Sequence, residues 1–394
     1  MGSFNIPTNS VIGVGVSGGA DSLCLAILLN EWGKKHGHKI IALTVNHNLR
    51  SEAAEEAEWV ADQMKKLGVE HHVLTYTGPK PKTRVEEKAR EIRYQLLQEF
   101  CDKNKIEFVC LAHHSDDQSE TFFARLSRGS GIDGLCAIHP ISKRKNLTLL
   151  RPLLGVDKTE ILDTLKFQKM TWVEDPMNKD TFYERVRWRE QLKTLWQTGL
   201  TKAGVLLSAK RLVRAKEALN FYTDSFFNSH VQIDERGFAK ISKSAFNDIP
   251  MEIRLRVLAK TLDIIGQSET PLSMEALEKA LETFKPRFTL AHCHIITHQK
   301  HIFIAKEHAR QEPEKNIPAK KWIQWDRFRI WCEEPAVVHA GITKKIYKNI
   351  PYLVQQSFPI IEPKKTLEKS QKLDYKHNTS HIKKIIEFTV KNKG

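Results

Sequence analysis

Two short stretches of this chain carry most of its chemical potential. The first is Ser17-Gly18-Gly19-Ala20-Asp21-Ser22, which follows the apolar run Val11–Val16 and opens the helical stretch Ser22–Trp32. Two glycines at such a turn let backbone approach an anion closely, and the unpaired N–H groups and positive pole of the helix end stabilise phosphate oxygens. The loop therefore reads as a phosphate cradle. It is not a Walker A loop, because no lysine stands at the matching place. Gly13, Gly15 and Gly18 satisfy the G-x-G-x-x-G spacing of a dinucleotide fingerprint, but two of them lie inside the strand. The next strand ends at Val45-Asn46-His47, without the carboxylate that would hold a ribose.

The second stretch, Ala112-His113-His114-Ser115-Asp116-Asp117-Gln118-Ser119-Glu120-Thr121, directly follows the strand-like Phe108–Ala112. Asp117 and Glu120 are three apart, which puts both carboxylates on one face of a helix beginning there. Such a pair beside a phosphate cradle suits magnesium, a cationic substrate or a proton-accepting base. On its own the motif would equally serve as an acidic first turn opposing a helix dipole. In an open α/β sheet the carboxyl ends of the strands face one crevice, so the two stretches are expected to converge.

The elements needed for that crevice are legible in the hydrophobic pattern. Strands are expected at Val11–Val16, Lys39–Val45, Val73–Tyr76 and Phe108–Ala112. Helices are expected at Ser22–Trp32, Ser51–Leu67 (capped by Ser51) and Glu86–Lys103. The alternation predicts an α/β fold, a parallel sheet with helices on both faces. A long charged helical stretch, Glu184–Ala218, breaks this rhythm, and a domain boundary is placed near Thr198–Lys202. The expected organisation is a nucleotide-binding catalytic domain over 1–198, a smaller α+β substrate-binding domain over 199–312 and a basic C-terminal segment over 313–394. The middle region should hold a hairpin (Val231–Ile233, a turn at Asp234–Gly237, Phe238–Ile241), helices at Met251–Leu262 and Ser273–Thr283, and strands at Thr289–Ile296 and His301–Ala305. Glu312–Pro318 reads as a linker, Trp322–Trp331 as one strand, and the Lys-rich remainder as weakly patterned.

Composition narrows the function classes. The 394 residues carry 62 Lys and Arg against 47 Asp and Glu, a formal charge of +15, which points to a polyanionic partner. From Lys315 onward there are 17 basic and 7 acidic residues, so the excess is concentrated at the end of the chain. The six cysteines are scattered, with no C-x-x-C pair, which argues against a disulfide scaffold or a zinc or iron–sulfur framework and fits a reducing, cytoplasmic setting. The first 20 residues lack charged side chains but are interrupted by Asn5, Pro7, Thr8, Asn9 and Ser10, so they read as mature protein rather than a leader. No apolar run reaches the length of a membrane span, and no membrane partner is expected. The cluster His292, Cys293, His294, His298 and His301 alternates like a hairpin rather than a metal site.

The loop Ser17–Ser22 resembles that of the N-type ATP pyrophosphatases, the PP-loop superfamily. Six further stretches, in order over the first half of the chain, are similar to one family within it, the tRNA(Ile)-lysidine synthetases. They are Val45-Asn46-His47-Asn48-Leu49-Arg50, Ala89-Arg90-Glu91-Ile92-Arg93-Tyr94, Ala112–Thr121, Arg128-Gly129-Ser130-Gly131-Ile132-Asp133-Gly134-Leu135, Arg151-Pro152-Leu153-Leu154, and Glu174-Asp175-Pro176 with Asn178, Asp180 and Arg185. The resemblance implies ATP-dependent ligation of free L-lysine to the wobble cytidine of the isoleucine tRNA with a CAU anticodon. The cytosine 2-carbonyl oxygen is adenylated with release of pyrophosphate, and the lysine amine then displaces AMP. It implies ATP and Mg²⁺ as cofactors, with Ser17, Gly18, Gly19, Ala20, Asp21 and Ser22 binding ATP and Asp21 helping to hold Mg²⁺. Asp117 and Glu120 are implied as the lysine-binding acids, one of them able to accept a proton, since free lysine stays protonated at neutral pH. With Asp21, Asp117 and Glu120, Arg93 completes the implied catalytic set; Arg93 and Arg185 would face phosphate or nucleotide, and Arg185 and Arg128 would touch tRNA. His113 has two readings, a nucleotide contact or packing at the strand end. Two departures stand out: Thr83-Arg84 where the family usually has Gly-Asn, and Val186 where Asn is expected.

The basic helical run Arg185, Arg187, Arg189, Lys193, Lys202, Lys210, Arg211, Arg214 and Lys216, with Trp188 and Trp196 among it, reads either as an RNA-tracking surface or as a solvated helix face. A homodimer is left open. The alternatives to the ligase are a tRNA thiolase on the same loop, which the unpaired cysteines argue against, and a non-catalytic RNA-binding protein with a vestigial nucleotide fold.

Overall fold

The computed structural model describes residues 1, 4–48, 53–80, 83, 85–174, 184–268, 272–341, 347, 349–363 and 384–388. Leu49, Arg50, Ser51, Arg84, Asp175, Pro176, Asn178 and Asp180, and most of the Lys-rich end, lie outside these. The chain divides into two compact units, the division falling between Lys216 and Glu217.

The first unit alternates strand and helix: β1 (Val11–Gly15), α1 (Ala20–His36), β2 (Lys39–Asn46), α2 (Ala53–Leu67), β3 (Glu70–Thr75), α3 (Val85–Asn104), β4 (Phe108–Cys110), α4 (Ser115–Leu126), the short α5 (Ile132–Leu135), β5 (Ile141–Arg144), β6 (Leu147–Leu150), α6 (Lys158–Phe167), α7 (Glu184–Gln197) and the start of α8 (Lys202–His230). The sheet order is β3-β2-β1-β4-β6-β5; all neighbours are parallel except the β5–β6 hairpin at the edge. That hairpin is absent from the sequence expectations because Ser142, Lys143 and Arg144 give its outer strand no apolar run. Strand alternation splits the core in two. Ile12, Val14, Ala42, Cys110 and Leu150 pack with Leu23 and Ile27 of α1, Val60 and Met64 of α2 and Ile161 and Leu165 of α6. Ile41, Leu43, Val109, Leu111 and Leu149 pack with Tyr94, Leu97 and Cys101 of α3. Helices therefore cover both faces, as the alternation predicts, and each fully buried aliphatic side chain contributes about 1.5–3 kcal/mol. Gly13 sits where a Cβ would come within 2.9 Å of Val109 Cγ2, so its small size serves sheet packing rather than a ligand.

Strand order reverses at the β1–β4 pair: β2 and β3 lie to one side, β6 and β5 to the other. With Val14 opposite Cys110, both strands end at one level, so the loops after β1 and β4 open into the crevice typical of a topological switch point. The charged helical stretch expected over Glu184–Ala218 is two helices, broken at Thr198–Thr201, where Gly199 adopts φ +94°.

The second unit holds the five-stranded sheet β7-β8-β11-β10-β9, built from β7 (Val231–Asp234), β8 (Phe238–Ser242), β9 (Arg287–Leu290), β10 (Cys293–His298) and β11 (His301–Lys306). Helices α9 (Lys243–Asp248), α10 (Met251–Gly266) and α11 (Met274–Glu282) accompany it. The strand expected over Thr289–Ile296 is two strands, because Ala291 and His292 turn the chain with φ of +48° and +61°. The cluster of histidines falls on the β10–β11 hairpin, in which His298 faces His301. Beyond come β12 (Lys315–Ile317), β13 (Trp322–Trp325), β14 (Phe328–Cys332), β15 (Ala336–Gly341), α12 (Tyr352–Gln355), β16 (Phe358–Pro363) and β17 (Lys384–Phe388), in two three-stranded sheets.

Here two expectations are corrected. The single strand over Trp322–Trp331 is a hairpin turning at Asp326–Arg327, and the linker Glu312–Pro318 contains β12, with Ile317 buried opposite Ala336. The turn is buried: Asp326 pairs with Lys306 and Arg327, and Arg327, fully buried, donates to the Gly237 carbonyl at 3.2 Å. A buried charge needs such partners, and hydropathy patterning does not reveal them. Among the described residues no helix is long and apolar enough to cross a membrane.

Candidate active site

The glycine loop is fixed from within and from both sides. Ser22 Oγ donates to the Gly19 carbonyl at 2.9 Å and accepts from the Ser17 N–H at 3.1 Å, closing the loop over the first turn of α1. Val16 N–H donates to the Leu43 carbonyl at 2.9 Å, and the Gly18 carbonyl accepts from Val173 N–H at 3.0 Å. Gly18 has φ +86°, and a Cβ there would meet Val60 Cγ2 at 3.2 Å, so both backbone and space call for glycine. Gly19 is the N-cap of α1 and has no side chain to satisfy the first N–H groups, as an anion-binding helix end would require.

Asp21, in the first turn of α1, meets two groups that the sequence reading gave no role. Its Oδ1 accepts from Lys158 Nζ at 2.6 Å, and its Oδ2 faces His114 Nε2 at 3.6 Å, too long for a hydrogen bond. His114 is the N-cap of α4 and forms a capping box with Asp117: Asp116 N–H donates to His114 Nδ1 at 3.3 Å, and His114 N–H donates to Asp117 Oδ2 at 2.9 Å. The same His114 Nε2 lies 3.6 Å from Asp117 Oδ2. The loop and the acidic pair thus meet across one buried imidazole.

On the far side of Asp117, Arg185 Nη1 lies 3.6 Å from Oδ1. Glu120, 2% exposed, accepts from Arg189 Nε at 2.8 Å through Oε1, while its buried Oε2 has no hydrogen-bond partner among the described residues. Burial raises the Glu120 carboxyl above the ordinary range, and the hydrogen bond from Arg189 works against that rise. Glu120 and Asp117 share the helix face expected of them.

Around these acids stands a wall of cations. Burial lowers Arg93, with Tyr94 opposing and Arg90 and Arg185 acting the same way, and the Arg93 side chain is exposed. Burial also pushes His113 down to about 4, with Arg151, Arg185 and Arg90 adding to it and Asp117 opposing. His47 is likewise lowered to about 4, by burial and then by Arg93. Among the described residues, His113 Nδ1 and both ring nitrogens of His47 are buried without hydrogen-bond partners. Arg151 is buried, and its Nη1 donates to the His139 carbonyl at 2.8 Å and Ser142 Oγ at 3.0 Å.

Arg128 stands apart from this cluster: it is exposed and ion-paired with Glu184 at the start of α7. Between α4 and α7, Phe123 stacks on Trp188 with ring centroids 6.0 Å apart. Val186, where the family pattern has Asn, is buried and packs as an apolar residue. Lys202 ties the scaffold together by pairing with both Asp116 and Asp157; Ser115 Oγ also donates to Asp157 Oδ1 at 2.5 Å. Of the residues that sequence reasoning passed over, Lys158 had one signal. Asp157-Lys158-Thr159-Glu160 has capping-box spacing, which marks a helix start just after the Arg151–Leu154 motif.

The two lowered histidines give a pH prediction. Each has a folded pKa of about 4 against an ordinary 6.5, so the unfolded chain binds more protons between those values. The stability contributed by keeping them neutral is complete above about pH 6.5 and is lost as pH falls toward about 4. Urea melts across that window should show the falling limb, and the double variant His47→Gln, His113→Gln should flatten it; an unchanged limb would contradict the prediction.

A family described as a PP-loop domain, ATP_bind_3, matches residues 3–195. The curated tRNA(Ile)-lysidine synthase of Wolbachia pipientis wMel is 35% identical over 326 residues, covering 81% of this chain and 76% of that protein. The one from Orientia tsutsugamushi (strain Boryong) is 29% identical over 379 residues, covering 93% and 83%. Among solved structures, the U34-tRNA thiolase NcsA from Methanococcus maripaludis aligns with 53% of this chain and 74% of its own at 19% identity and a TM-score of 0.47. The likeness to the curated synthases extends well past the PP-loop domain into the second unit, and on that extent the chain belongs to the tRNA(Ile)-lysidine synthase family.

Proposed function

We propose that this chain uses ATP to join free L-lysine to the 2-position of the wobble cytidine of tRNA(Ile) bearing a CAU anticodon, through an adenylated cytidine. The observation that carries the reading is His114, which lies 3.6 Å from Asp21 on the loop and 3.6 Å from Asp117 of the acidic pair. This closeness supports an activation site and an amine site in one crevice, as a two-step ligation requires.

In the first step the cytidine oxygen attacks the α-phosphorus of ATP. A bond forms from that oxygen to phosphorus, and the bond to the bridging oxygen breaks, its electron pair leaving with pyrophosphate. The Ser17–Ser22 loop holds the phosphates through backbone N–H groups that need no reorganisation as charge develops. Asp21 suits Mg²⁺, which is usually held by one or two carboxylates together with substrate phosphates, and its Oδ2 is not taken up by a hydrogen bond. Bound there, the ion would neutralise charge on the departing pyrophosphate. Arg93 and the neutral His113 are assigned to face the nucleotides. In the second step Asp117 and the unpartnered Glu120 Oε2 hold the lysine ammonium, and one of them accepts its proton. The freed amine attacks C2, and the C2–O bond breaks as AMP leaves.

The six cysteines are all buried and free, and Cys24, beside Asp21, is raised to about 11 by burial and then by that carboxylate. A thiol so held stays protonated and does not carry sulfur to a substrate. Release of pyrophosphate that requires tRNA, ATP and lysine together supports the ligase; release that requires a sulfur donor instead, or no release, refutes it. Such an enzyme belongs in the cytoplasm with its tRNA.

Contacts to tRNA are assigned to Arg185 and Arg128 in the first unit. A further patch is assigned on β13–β14, where Lys320 and Lys321 are exposed and Arg329 lies over the exposed Trp322 ring, 4.8 Å from its centroid. Alternating cations and an aromatic face suit an RNA backbone and its bases. The triple variant Lys320→Gln, Lys321→Gln, Arg329→Gln should weaken tRNA binding and lower its log–log salt slope by about 2–3. An unaltered slope would remove this patch from the interface.

A further inference from the structure

The glycine loop has no lysine of its own, yet one stands at its mouth. Lys158 is the first residue of α6, 137 positions beyond Asp21, and its Nζ lies 2.6 Å from Asp21 Oδ1. Its mounting is rigid. Ile161 and Leu165 of α6 are buried in the same core as Leu23 and Ile27 of α1, so the two helices hold Lys158 and Asp21 on one frame. Asp157, directly before it, is capped against Glu160 and held by Ser115 and Lys202. The Lys158 side chain remains about one-third exposed. Of the other cations near the acidic pair, Arg185 faces Asp117, Arg189 binds Glu120, and Arg151 donates to the His139 carbonyl and Ser142.

We infer that Lys158 is the phosphate-binding cation of the loop and contacts the β- and γ-phosphate oxygens of ATP, the pair that leaves as pyrophosphate. The inference rests on the ATP-binding reading above. Without nucleotide, Lys158 neutralises Asp21. A triphosphate entering between them offers the ammonium more negative charge than one carboxylate does, so Nζ transfers to it and frees Asp21 Oδ1 for a cation. As the α,β-bridging P–O bond breaks, the Lys158 ammonium stabilises the electron pair that departs with pyrophosphate. A helix-borne lysine reached through tertiary contact thus does what an in-loop lysine does elsewhere.

The test is calorimetric titration of the full chain with magnesium pyrophosphate, with the magnesium complex of an α,β-methylene ATP analogue, and with AMP. In Lys158→Gln, which keeps a donor for Asp21 but removes the charge, affinity for the first two should fall roughly 10–100-fold. Affinity for AMP, which lacks those phosphates, should change less than about twofold, and Lys158→Arg should recover part of the loss. Lys158→Ala, followed by thermal melting, separates a folding defect from a ligand defect. Equal binding of pyrophosphate by wild type and Lys158→Gln would overturn the inference, as would parallel loss of AMP and pyrophosphate, which marks a merely structural lysine. A wild-type chain that binds neither the ATP analogue nor pyrophosphate would overturn the ATP reading itself.

Discussion

Asp21→Asn should lower pyrophosphate release by a factor on the order of 10²–10³ or more, while tRNA affinity stays within about twofold. The substitution is nearly isosteric and can still accept from Lys158, so the frame joining α1 to α6 is retained. What it removes is the negative charge at the mouth of the phosphate loop, and with it the ligand suited to a divalent cation. None of the residues assigned here to tRNA contact Asp21. Pyrophosphate release and filter binding on the same preparation check the prediction, and parallel loss of both would point to misfolding or to a shared RNA role.

The second large effect is on lysine. Asp117→Asn leaves an oxygen to accept from the His114 N–H, so the cap of α4 survives while the charge goes. Glu120→Gln keeps an acceptor for Arg189 and alters the oxygen that has no partner. Each variant should raise the lysine concentration needed for half-maximal ligation by roughly 10–100-fold, the range expected for losing a charge-assisted hydrogen bond. The ATP requirement should be nearly unchanged, because neither side chain contacts the glycine loop. If lysine dependence stays at wild-type level in both variants, the acids do not hold the amine.

The readable parts of this molecule are those whose cause is local. The phosphate loop is six consecutive residues between a strand and a helix, and its geometry follows from Gly18 and the Ser22 hydroxyl. The alternating core of the first unit is legible because period-2 burial on the strands and helical spacing between them are written directly in the hydrophobic pattern. Convergence of the loop with Asp117 and Glu120 was expected from the rule for open sheets, and the reversal of strand order at β1–β4 is its physical basis.

The unread parts depend on partners distant in sequence. Lys158 reaches Asp21, Arg189 reaches Glu120 and Lys202 bridges Asp116 to Asp157 only after α6, α7 and α8 pack, and an isolated Lys or Arg on a helix gives no sign of its partner. The hairpin at Asp326–Arg327 escapes the pattern for the same reason: its turn carries a buried ion cluster where the hydropathy pattern predicts a continuous strand.

The most direct test of the account is mass analysis of nucleosides from a tRNA(Ile) transcript with a CAU anticodon, incubated with the purified chain, ATP and isotopically labelled lysine. The account predicts that cytidine at the wobble position gains the mass of lysine less one water, with the label present, and that omitting either ATP or lysine abolishes the change. A wobble cytidine left unmodified under complete conditions, or one gaining sulfur instead, would contradict it.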